Sequence, residues 1–319
     1  MSHQISSNIL CAVGDTPLVE LHRITRGLGR RVLVKVEGLN PGGSIKTRAA
    51  MNMILDARDK GLINDDTTIV EYTSGNQGIG LALVAAVLGY KCVIVMPACM
   101  SRERRLIMQA YGAQVVLTDA QGTITEAFAR ARAEAERLAN DNPNFFLARQ
   151  FVNPSNPAAH YKGTAEEIIR QMGDLPLHAF VAAVGTGGTV TGCAHRLRQA
   201  YPDILIATAE PQNAAILSGG AVFAHKQQGI GDGFIPEVLD PDCLDRVITV
   251  SDDDAYDIAR RLAREEGIFC GISSGTNVRA AIELAKSLPE GSNIVTVCVD
   301  LGDRYLSVEG FIDEGDFAQ

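Results

Sequence analysis

The chain has 319 residues, of which 46% are apolar and 21% charged, and its formal net charge is −9. This composition is typical of a globular protein, the length predicts two domains, and the acidic balance argues against nucleic acid or an anionic membrane surface as a partner. No apolar run approaches the roughly 18 residues of a membrane span, and the N-terminus lacks the basic-then-apolar order of a secretory signal, so we expect a cytoplasmic protein.

Strand-like runs alternate with helix-like runs along almost the whole chain. In chain order the strand candidates are VLVKVE, TIVEYT, KCVIVMP, QVVLTD, HAFVAAVG, ILIATAEP, RVITVSD, GIFCGI and NIVTVCVD. Helical patterns such as LALVAAVLG and ITEAFARARAEAERLAND lie between most of them. The alternation predicts an α/β fold with parallel sheets that are covered by helices on both faces.

Four glycine-rich stretches fall where a predicted strand gives way to a predicted helix. In doubly wound sheets, ligands bind at these junctions. The first is NPGGSIKTR, in which Lys46 stands at a helix start although the helix dipole favours anions there. A desolvated lysine has a lowered pKa and can act as an amine nucleophile or base, whereas a solvated helix-start lysine is the alternative. Ile45 replaces the glycine that a P-loop needs, so an ATP site is not expected.

The second and third junctions offer seats for anions. TSGNQG, residues 73–78, combines two hydroxyls and an amide with the free N–H groups of a helix start, which suits a carboxylate or phosphate; an ordinary capped helix is the alternative. GTGGTVTG, residues 185–192, has Val190 where a dinucleotide fingerprint needs its third glycine. A phosphate cradle is therefore favoured over an NAD site.

The fourth junction, GISSG at residues 271–275, matches the G-x-S-x-G pattern of serine hydrolases. That fold needs a histidine later in the chain, and the last histidine is His225. A serine hydroxyl at this helix start could instead meet a ring nitrogen or a phosphate. Together, the four junctions supply an amine, a phosphate cradle, a carboxylate seat and a hydroxyl, which are the parts that hold pyridoxal 5'-phosphate as a Schiff base.

The motifs also resemble a known family nearly from end to end. GDTPLVEL, NPGGSIKTR, TSGNQGIGLA, GTGGTVTG, QGIGDGFIP, GISSG and GDRYLS occur in the order found in the cysteine synthase (O-acetylserine sulfhydrylase) and cystathionine β-synthase family, the fold-type II pyridoxal-phosphate enzymes. The details are nearest to the cysteine synthase B branch. The resemblance implies two doubly wound domains, with residues 40–155 as the smaller substrate-binding domain and residues 1–39 plus 156–319 as the larger cofactor-binding domain. The cofactor would lie in the cleft between them.

The resemblance also implies a role for individual residues. Lys46 would carry the cofactor and act in catalysis, Asn76 would bond its 3′ oxygen, and Ser273 would face its pyridine nitrogen. The implied cofactor-binding residues are Lys46, Asn76, Gly185, Thr186, Gly187, Gly188, Thr189 and Ser273. The implied substrate-binding residues are Thr73, Ser74, Asn76, Gln77, Gln150 and Gly229.

The implied reaction is β-replacement on a β-substituted L-alanine through an aminoacrylate, with O-acetylserine and sulfide giving L-cysteine. Three residues depart from the family pattern: Thr47, Gln77 and Asp232. A carboxylate at Asp232 could protonate a poor leaving group, which would favour serine/cysteine replacement or hydrogen sulfide release, while a solvated loop aspartate is the alternative.

The family resemblance implies a homodimer and leaves serine acetyltransferase as a possible partner. A non-catalytic relative that serves as a binding partner is the competing class of function. The histidines show no metal-ligand spacing, and no metal is expected. The seven cysteines are scattered without a CxxC pair, which predicts free thiols.

Overall fold

The computed structural model describes residues 5–312, which form two β-sheets with helices on both faces of each. The strands are β1 Leu18–Glu20, β2 Arg31–Val36, β3 Thr68–Tyr72, β4 Lys91–Pro97, β5 Gln114–Thr118, β6 Phe145–Leu147, β7 Ala179–Val181, β8 Leu205–Pro211, β9 Arg246–Val250 and β10 Asn293–Cys298. The larger sheet has the order β1-β2-β10-β7-β8-β9 and the smaller sheet has the order β5-β4-β3-β6. Every neighbouring pair is parallel except β1 with β2, which confirms the predicted α/β class with mostly parallel sheets.

The helices occupy the intervals between the strands. The α-helices are α1 Lys46–Asp59, α2 Asn76–Leu88, α3 Arg102–Ala110, α4 Ile124–Asp141, α5 Ser155–Ala159, α6 Ala165–Met172, α7 Gly188–Ala200, α8 Asp252–Glu266 and α9 Ile272–Lys286. Short 3-10 turns lie at Ile9–Ala12, Glu37–Leu39, Pro241–Cys243 and Gly302–Tyr305, and a π-helical turn, His160–Thr164, joins α5 to α6. Helix α4 begins with a capping box, in which Thr123 and Glu126 satisfy each other's backbone N–H groups.

Alternate residues of the strands face opposite helix layers. On β2, Val32 and Val34 pack with α8 and α9, whereas Leu33 packs with α6 and α7. In the smaller sheet, Ile69 packs with α1, α2 and α3, whereas Val70 packs with α4. Because strands buried on both faces must be apolar throughout, this layering explains the continuous apolar runs of the sequence.

One predicted strand is wrong and two strands were missed. GIFCGI forms only an isolated bridge between Cys270 and Leu301, because Gly267 ends α8 in a left-handed conformation and α9 begins at Ile272. The apolar residues between these two helices pack without a strand partner, and periodicity alone does not distinguish such a run from a buried strand. The missed strands are β1 and β6, each of three residues.

The proline-containing stretch NPSNPAAHYKG, which lies at the end of the predicted smaller domain, is helical from Ser155 onward. The domain boundaries drawn from the family resemblance stay a prediction. Within residues 5–312, no helix combines the length and apolar character needed to cross a bilayer. All seven cysteines are free thiols; Cys11 and Cys99 are exposed and the other five are buried.

Candidate active site between the two sheets

A cleft lies where the carboxyl ends of strands from both sheets face each other. Residue Thr73 follows β3 of the smaller sheet, while Gly185 and Val299 follow β7 and β10 of the larger sheet, and all three line the cleft. Of the residues predicted for the site, those lining the cleft are Lys46, Thr73, Ser74, Asn76, Gln77, Gln150, Gly185, Thr186, Thr189, Gly229, Asp232 and Ser273. Gly187 and Gly188 are not among the lining residues; they lie between Thr186 and Thr189, at the start of α7.

Lys46 is the first residue of α1, and its side chain enters the cleft. Burial lowers the pKa of its amine, and the carboxylates of Asp232 and Asp300 oppose that shift. None of the described side chains hydrogen-bonds the Lys46 amine, so it is free to react.

The turn at residues 73–77 leads from β3 into α2. The Thr73 hydroxyl accepts a hydrogen bond from the N–H of Gly75 at 3.1 Å, which holds the turn closed. Gly75 has φ 148°, in the region that favours glycine, at the N-cap position of α2. The Gln77 side chain is buried; its Nε2 lies 3.6 Å from Met53 Sδ, and its Oε1 has no partner among the described residues. The turn therefore combines a helix N-terminus with polar side chains at the cleft wall.

Gln150 reaches the same wall from the loop after β6. Its Nε2 donates to the Tyr72 carbonyl at 3.0 Å, and its own N–H donates to Glu71 Oε2 at 2.9 Å. Burial raises the pKa of Glu71 to about 8, although the N–H groups of Gln150 and Tyr72 oppose that shift. Glu71 thus fixes the backbone of Gln150 from inside the smaller sheet.

The glycine-rich loop at 185–189 turns into the N-terminus of α7. Asn156 Nδ2 donates to Thr186 Oγ1 at 2.9 Å, and a Cβ added at Gly188 would lie 2.2 Å from Asn156 Oδ1. A Cβ added at Gly185 would lie 2.4 Å from the Gly229 carbonyl oxygen. These glycines are thus required by the protein's own packing, and they leave the N–H groups of the first turn of α7 at the cleft.

Two neighbouring serines at the start of α9 differ in what they contact. Ser274 Oγ accepts a hydrogen bond from the N–H of Val299 at 2.8 Å. The Ser273 side chain is buried and lines the cleft, and its hydroxyl has no hydrogen-bond partner among residues 5–312. Of the two hydroxyls, Ser273 is therefore the one available to a ligand.

Asp232 lines the cleft with Lys46 and is partly buried, so it is not a solvated loop residue. Burial raises its pKa to about 6, and the electrostatic influence of His225 and Lys46 opposes the shift. His225 holds the loop, since its Nε2 lies 3.0 Å from the Gly231 carbonyl oxygen. Asp232 can therefore carry a proton near neutral pH.

The C-terminal motif GDRYLS supplies contacts that the sequence analysis did not assign. Asn76 Nδ2 donates to Asp300 Oδ2 and Arg304 Nη1 donates to Asn76 Oδ1, both at 2.6 Å. Tyr305 Oη donates to the same Asp300 oxygen at 2.8 Å. These bonds fix the orientation of the Asn76 amide, so this network joins α2 of the smaller sheet to the end of β10. The place of GDRYLS at the end of the motif series was the only sequence signal for it.

Further residues of the cleft wall were also missed, among them Arg104, Phe128, Phe151, Gln228 and Asn277. Asn277 Oδ1 accepts from the Ala183 N–H at 2.7 Å, and its Nδ2 donates to the Val297 carbonyl at 2.8 Å, so it ties together the ends of β7 and β10. Arg104 lies in SRERR at the start of α3, and three arginines in four residues (102, 104 and 105) gave no reason to single it out.

The residues at the cleft fit pyridoxal 5'-phosphate. Lys46 offers an unpaired amine of lowered pKa for an aldehyde, and the start of α7 with Thr186 and Thr189 offers N–H and O–H donors for a phosphate. Ser273 offers a free hydroxyl for a ring nitrogen. Each chemical part of the cofactor thus has a matching group.

Comparison with known proteins gives matches over nearly the whole chain. The family model described as pyridoxal-phosphate dependent enzyme matches residues 9–300. A probable cysteine synthase of Bacillus subtilis (strain 168) is 46% identical over 308 residues, which are 96% of this chain and 98% of the relative. A crystal structure of cysteine synthase from Entamoeba histolytica has a TM-score of 0.92 at 40% identity, covering 98% of this chain and 93% of that one. A crystal structure of a hydrogen sulfide-producing enzyme from Fusobacterium nucleatum has a TM-score of 0.89 at 40% identity, covering 95% of this chain and 100% of that one.

Proposed function

The chain belongs to the pyridoxal-phosphate dependent enzymes, and on that premise we propose that it catalyses β-replacement on a β-substituted L-alanine. The leading reaction is that of O-acetylserine with sulfide to give L-cysteine, as in the cysteine synthases that it resembles. The observation that carries the proposal is the free Lys46 amine in one cleft with the free Ser273 hydroxyl and the N-terminus of α7.

Lys46 holds the cofactor covalently and later serves as the base. The bound cofactor supplies an electron sink for the α-carbon of the substrate. Because burial lowers the pKa of the Lys46 amine, a larger fraction of it is neutral and able to take the proton from the α-carbon. Ser273 would offer a neutral hydroxyl to the ring nitrogen, and because a hydroxyl does not protonate that nitrogen, it would temper the electron sink and suit β-elimination.

The remaining predicted residues bind and orient. The phosphate would be held by Gly185, Thr186, Gly187, Gly188 and Thr189, and Asn76 would bond the 3′ oxygen. The substrate's α-carboxylate would be held by Thr73, Ser74, Asn76, Gln77 and Gln150, and Gly229 would also contact the substrate. The fixed positions of Gln150 and Asn76 support this assignment, since preorganised donors lose little entropy on binding.

One experiment ranks the substrates. The purified holoenzyme is mixed separately with O-acetylserine, O-phosphoserine, serine and cysteine, and the visible absorbance of the bound cofactor is followed together with hydrogen sulfide. We expect O-acetylserine to give the fastest spectral change and to yield cysteine when sulfide is added. A protein without visible absorbance, or one that responds to none of the four compounds, would refute the proposal.

A second candidate reaction is serine/cysteine replacement or hydrogen sulfide release from cysteine, as in cystathionine β-synthase-like enzymes. Asp232 favours it, because a carboxyl group with its pKa raised to about 6 can protonate a leaving hydroxide at the oxygen or take a proton from water. Asp232→Asn should then lower the rate with serine and cysteine by about 10²-fold and leave the rate with O-acetylserine nearly unchanged. If the wild type and Asp232→Asn have equal rates with each of the three substrates, Asp232 does not act as the acid or base.

The proposal also covers the division into domains, the cellular location, the oligomeric state and a partner protein. Residues 40–155 form the substrate-binding domain, and the remainder forms the cofactor-binding domain. We propose a cytoplasmic location and, as the family resemblance implies, a homodimer, with serine acetyltransferase as a possible partner. Light scattering of the purified protein tests the dimer, and a mass equal to one chain would contradict it.

A further inference from the structure

Arg104 is a buried cation at the wall of the cleft. Its side chain is 2% exposed, on α3 of the smaller sheet. Its Nη1 donates to Gln228 Oε1 and lies 3.4 Å from Ser101 Oγ, and its Cζ lies 4.7 Å from the centre of the Tyr305 ring. Its Nε is buried and has no hydrogen-bond partner in the described part of the chain.

No carboxylate among residues 5–312 forms a salt bridge with Arg104. Asp300 accepts hydrogen bonds at Oδ2 from Asn76 and from Tyr305, the residue whose ring lies under the Arg104 guanidinium, and it makes none with Arg104. A buried charge without an opposite charge is costly, so an anion that reaches Arg104 from the cleft would offset part of that cost. Of the other ionisable groups, Lys46 and Asp232 also line the cleft, and the Asp300 carboxylate interacts electrostatically with the Lys46 amine.

The guanidinium lies directly against the turn proposed to hold the substrate's carboxylate. A Cβ added at Gly75 would lie 2.1 Å from Arg104 Cδ and 2.8 Å from its Nε. Gly75 is thus a place where only a glycine lets the arginine reach the turn. The other proposed ligands of the carboxylate are hydroxyls and amides, which carry no charge.

We propose that Arg104 is the charged residue of the site that binds the α-carboxylate of the amino-acid substrate, and that its Nε–H donates to that carboxylate. This inference rests on the proposed function. A charge-assisted hydrogen bond in a buried site is stronger than one between neutral groups, so Arg104 selects for substrates with a free α-carboxylate.

The test compares two ligands that differ only in that group. L-Alanine has no β-leaving group, so its binding is measured without turnover, and L-alaninamide lacks the negative charge. Both are titrated into the holoenzyme, and the visible absorbance of the bound cofactor reports the dissociation constant. The variants are Arg104→Gln and Arg104→Lys, with Arg102→Gln as a matched control, because Arg102 is exposed on the same helix.

Arg104→Gln should weaken L-alanine binding by about tenfold to a hundredfold and change L-alaninamide binding by less than about twofold. Arg104→Lys should weaken L-alanine binding by a smaller factor, because the charge remains but the Nε donor is lost. It provides the same comparison of ligands if Arg104→Gln does not fold. Equal weakening for both ligands in either variant, or no weakening, would overturn the inference. A wild-type protein that responds to neither ligand would instead refute the proposed function.

Discussion

The first turn of α1 contributes to two polar regions, a buried ion cluster and the cleft. They differ in whether their polar groups have hydrogen-bond partners among the described residues. The ion cluster comprises Lys35, Glu37, Arg48 and Glu167, and Arg48 alone makes four hydrogen bonds in it. Only two residues before Arg48, the Lys46 amine enters the cleft without a hydrogen-bond partner among the described residues. The first turn of α1 therefore carries one residue of a cluster that serves stability and one residue that is available for reaction.

The ion cluster explains how the cleft can keep unpaired groups. Its two positive and two negative charges cancel, and despite its burial Glu167 has its pKa lowered to about 2 by Arg48 and Lys35. Since Arg48 ties α1 to residues of the 3-10 turn Glu37–Leu39 and of α6, it fixes the first turn of the helix. We infer that this fixed turn holds Lys46 in place while its own amine stays free.

Replacement of Lys46 should give the largest effect, a loss of activity with almost no loss of stability. Lys46→Ala should lower β-replacement activity by about 10⁴-fold, because the covalent anchor and the base are lost together. The free energy of unfolding of the cofactor-free protein should change by less than about 1 kcal/mol, because no hydrogen bond of the described residues is removed. Steady-state rates and urea unfolding measure the two effects. Normal turnover in this variant would contradict the assignment.

Replacement of Arg48 should have the opposite profile. Arg48→Met leaves Glu37 and Glu167 buried with fewer partners, which costs about 3–5 kcal/mol of unfolding free energy. The control is Arg58→Met on the exposed face of α1, where a change within about 0.5 kcal/mol is expected. Urea midpoints of both variants give the answer, and equal midpoints would show that the ion cluster does not anchor the helix.

The pH dependence of the reaction sharpens the role of Asp232. Because its pKa is raised to about 6, the group carries a proton below that pH and loses it above. If it protonates the leaving hydroxide, the rate with serine falls by about tenfold per pH unit above pH 6, and O-acetylserine shows no such decline. His225 and Lys46 are the neighbours whose electrostatic influence opposes the raised pKa. Identical pH profiles for the two substrates would argue against the role.

The smallest expected effects are on the free energy of unfolding when the two serines at the start of α9 are replaced one at a time. Ser274→Ala removes the acceptor of the Val299 N–H and should cost about 1–2 kcal/mol of unfolding free energy. Ser273→Ala removes no bond within residues 5–312 and should cost less than about 0.5 kcal/mol, while it alters the visible spectrum of the bound cofactor. Thermal unfolding of the cofactor-free proteins checks the first pair of values. A reversed order would mean that the hydroxyls have been assigned the wrong way round.

The alternation of strands and helices and the glycine-rich junctions could be predicted from the sequence, because both depend on local patterns. Buried parallel strands need apolar runs, and helix starts at a ligand need glycine, hydroxyl and amide residues. The same logic failed for GIFCGI, since a short apolar run between two helices buries its side chains without a strand partner.

The side-chain contacts that could not be predicted from the sequence join residues that are far apart along the chain. Arg104 and Gln228 are 124 residues apart, and Asn76 and Asp300 are 224 residues apart, so neither pair leaves a local pattern. The role of Arg48 was hidden for the same reason, because Glu167 lies 119 residues away. Charged residues in isolation look like surface residues, and only the fold shows which of them are buried together.

The most direct test uses the contrast between the two inner lysines. Of the seven lysines, five are exposed, whereas Lys35 is buried in the ion cluster and Lys46 enters the cleft. The holoenzyme is reduced with borohydride, digested, and mapped by mass spectrometry for the pyridoxyl group. We expect the label on Lys46 alone and an unmodified Lys35. A label on Lys35 or on any exposed lysine, with Lys46 unmodified, would contradict the account.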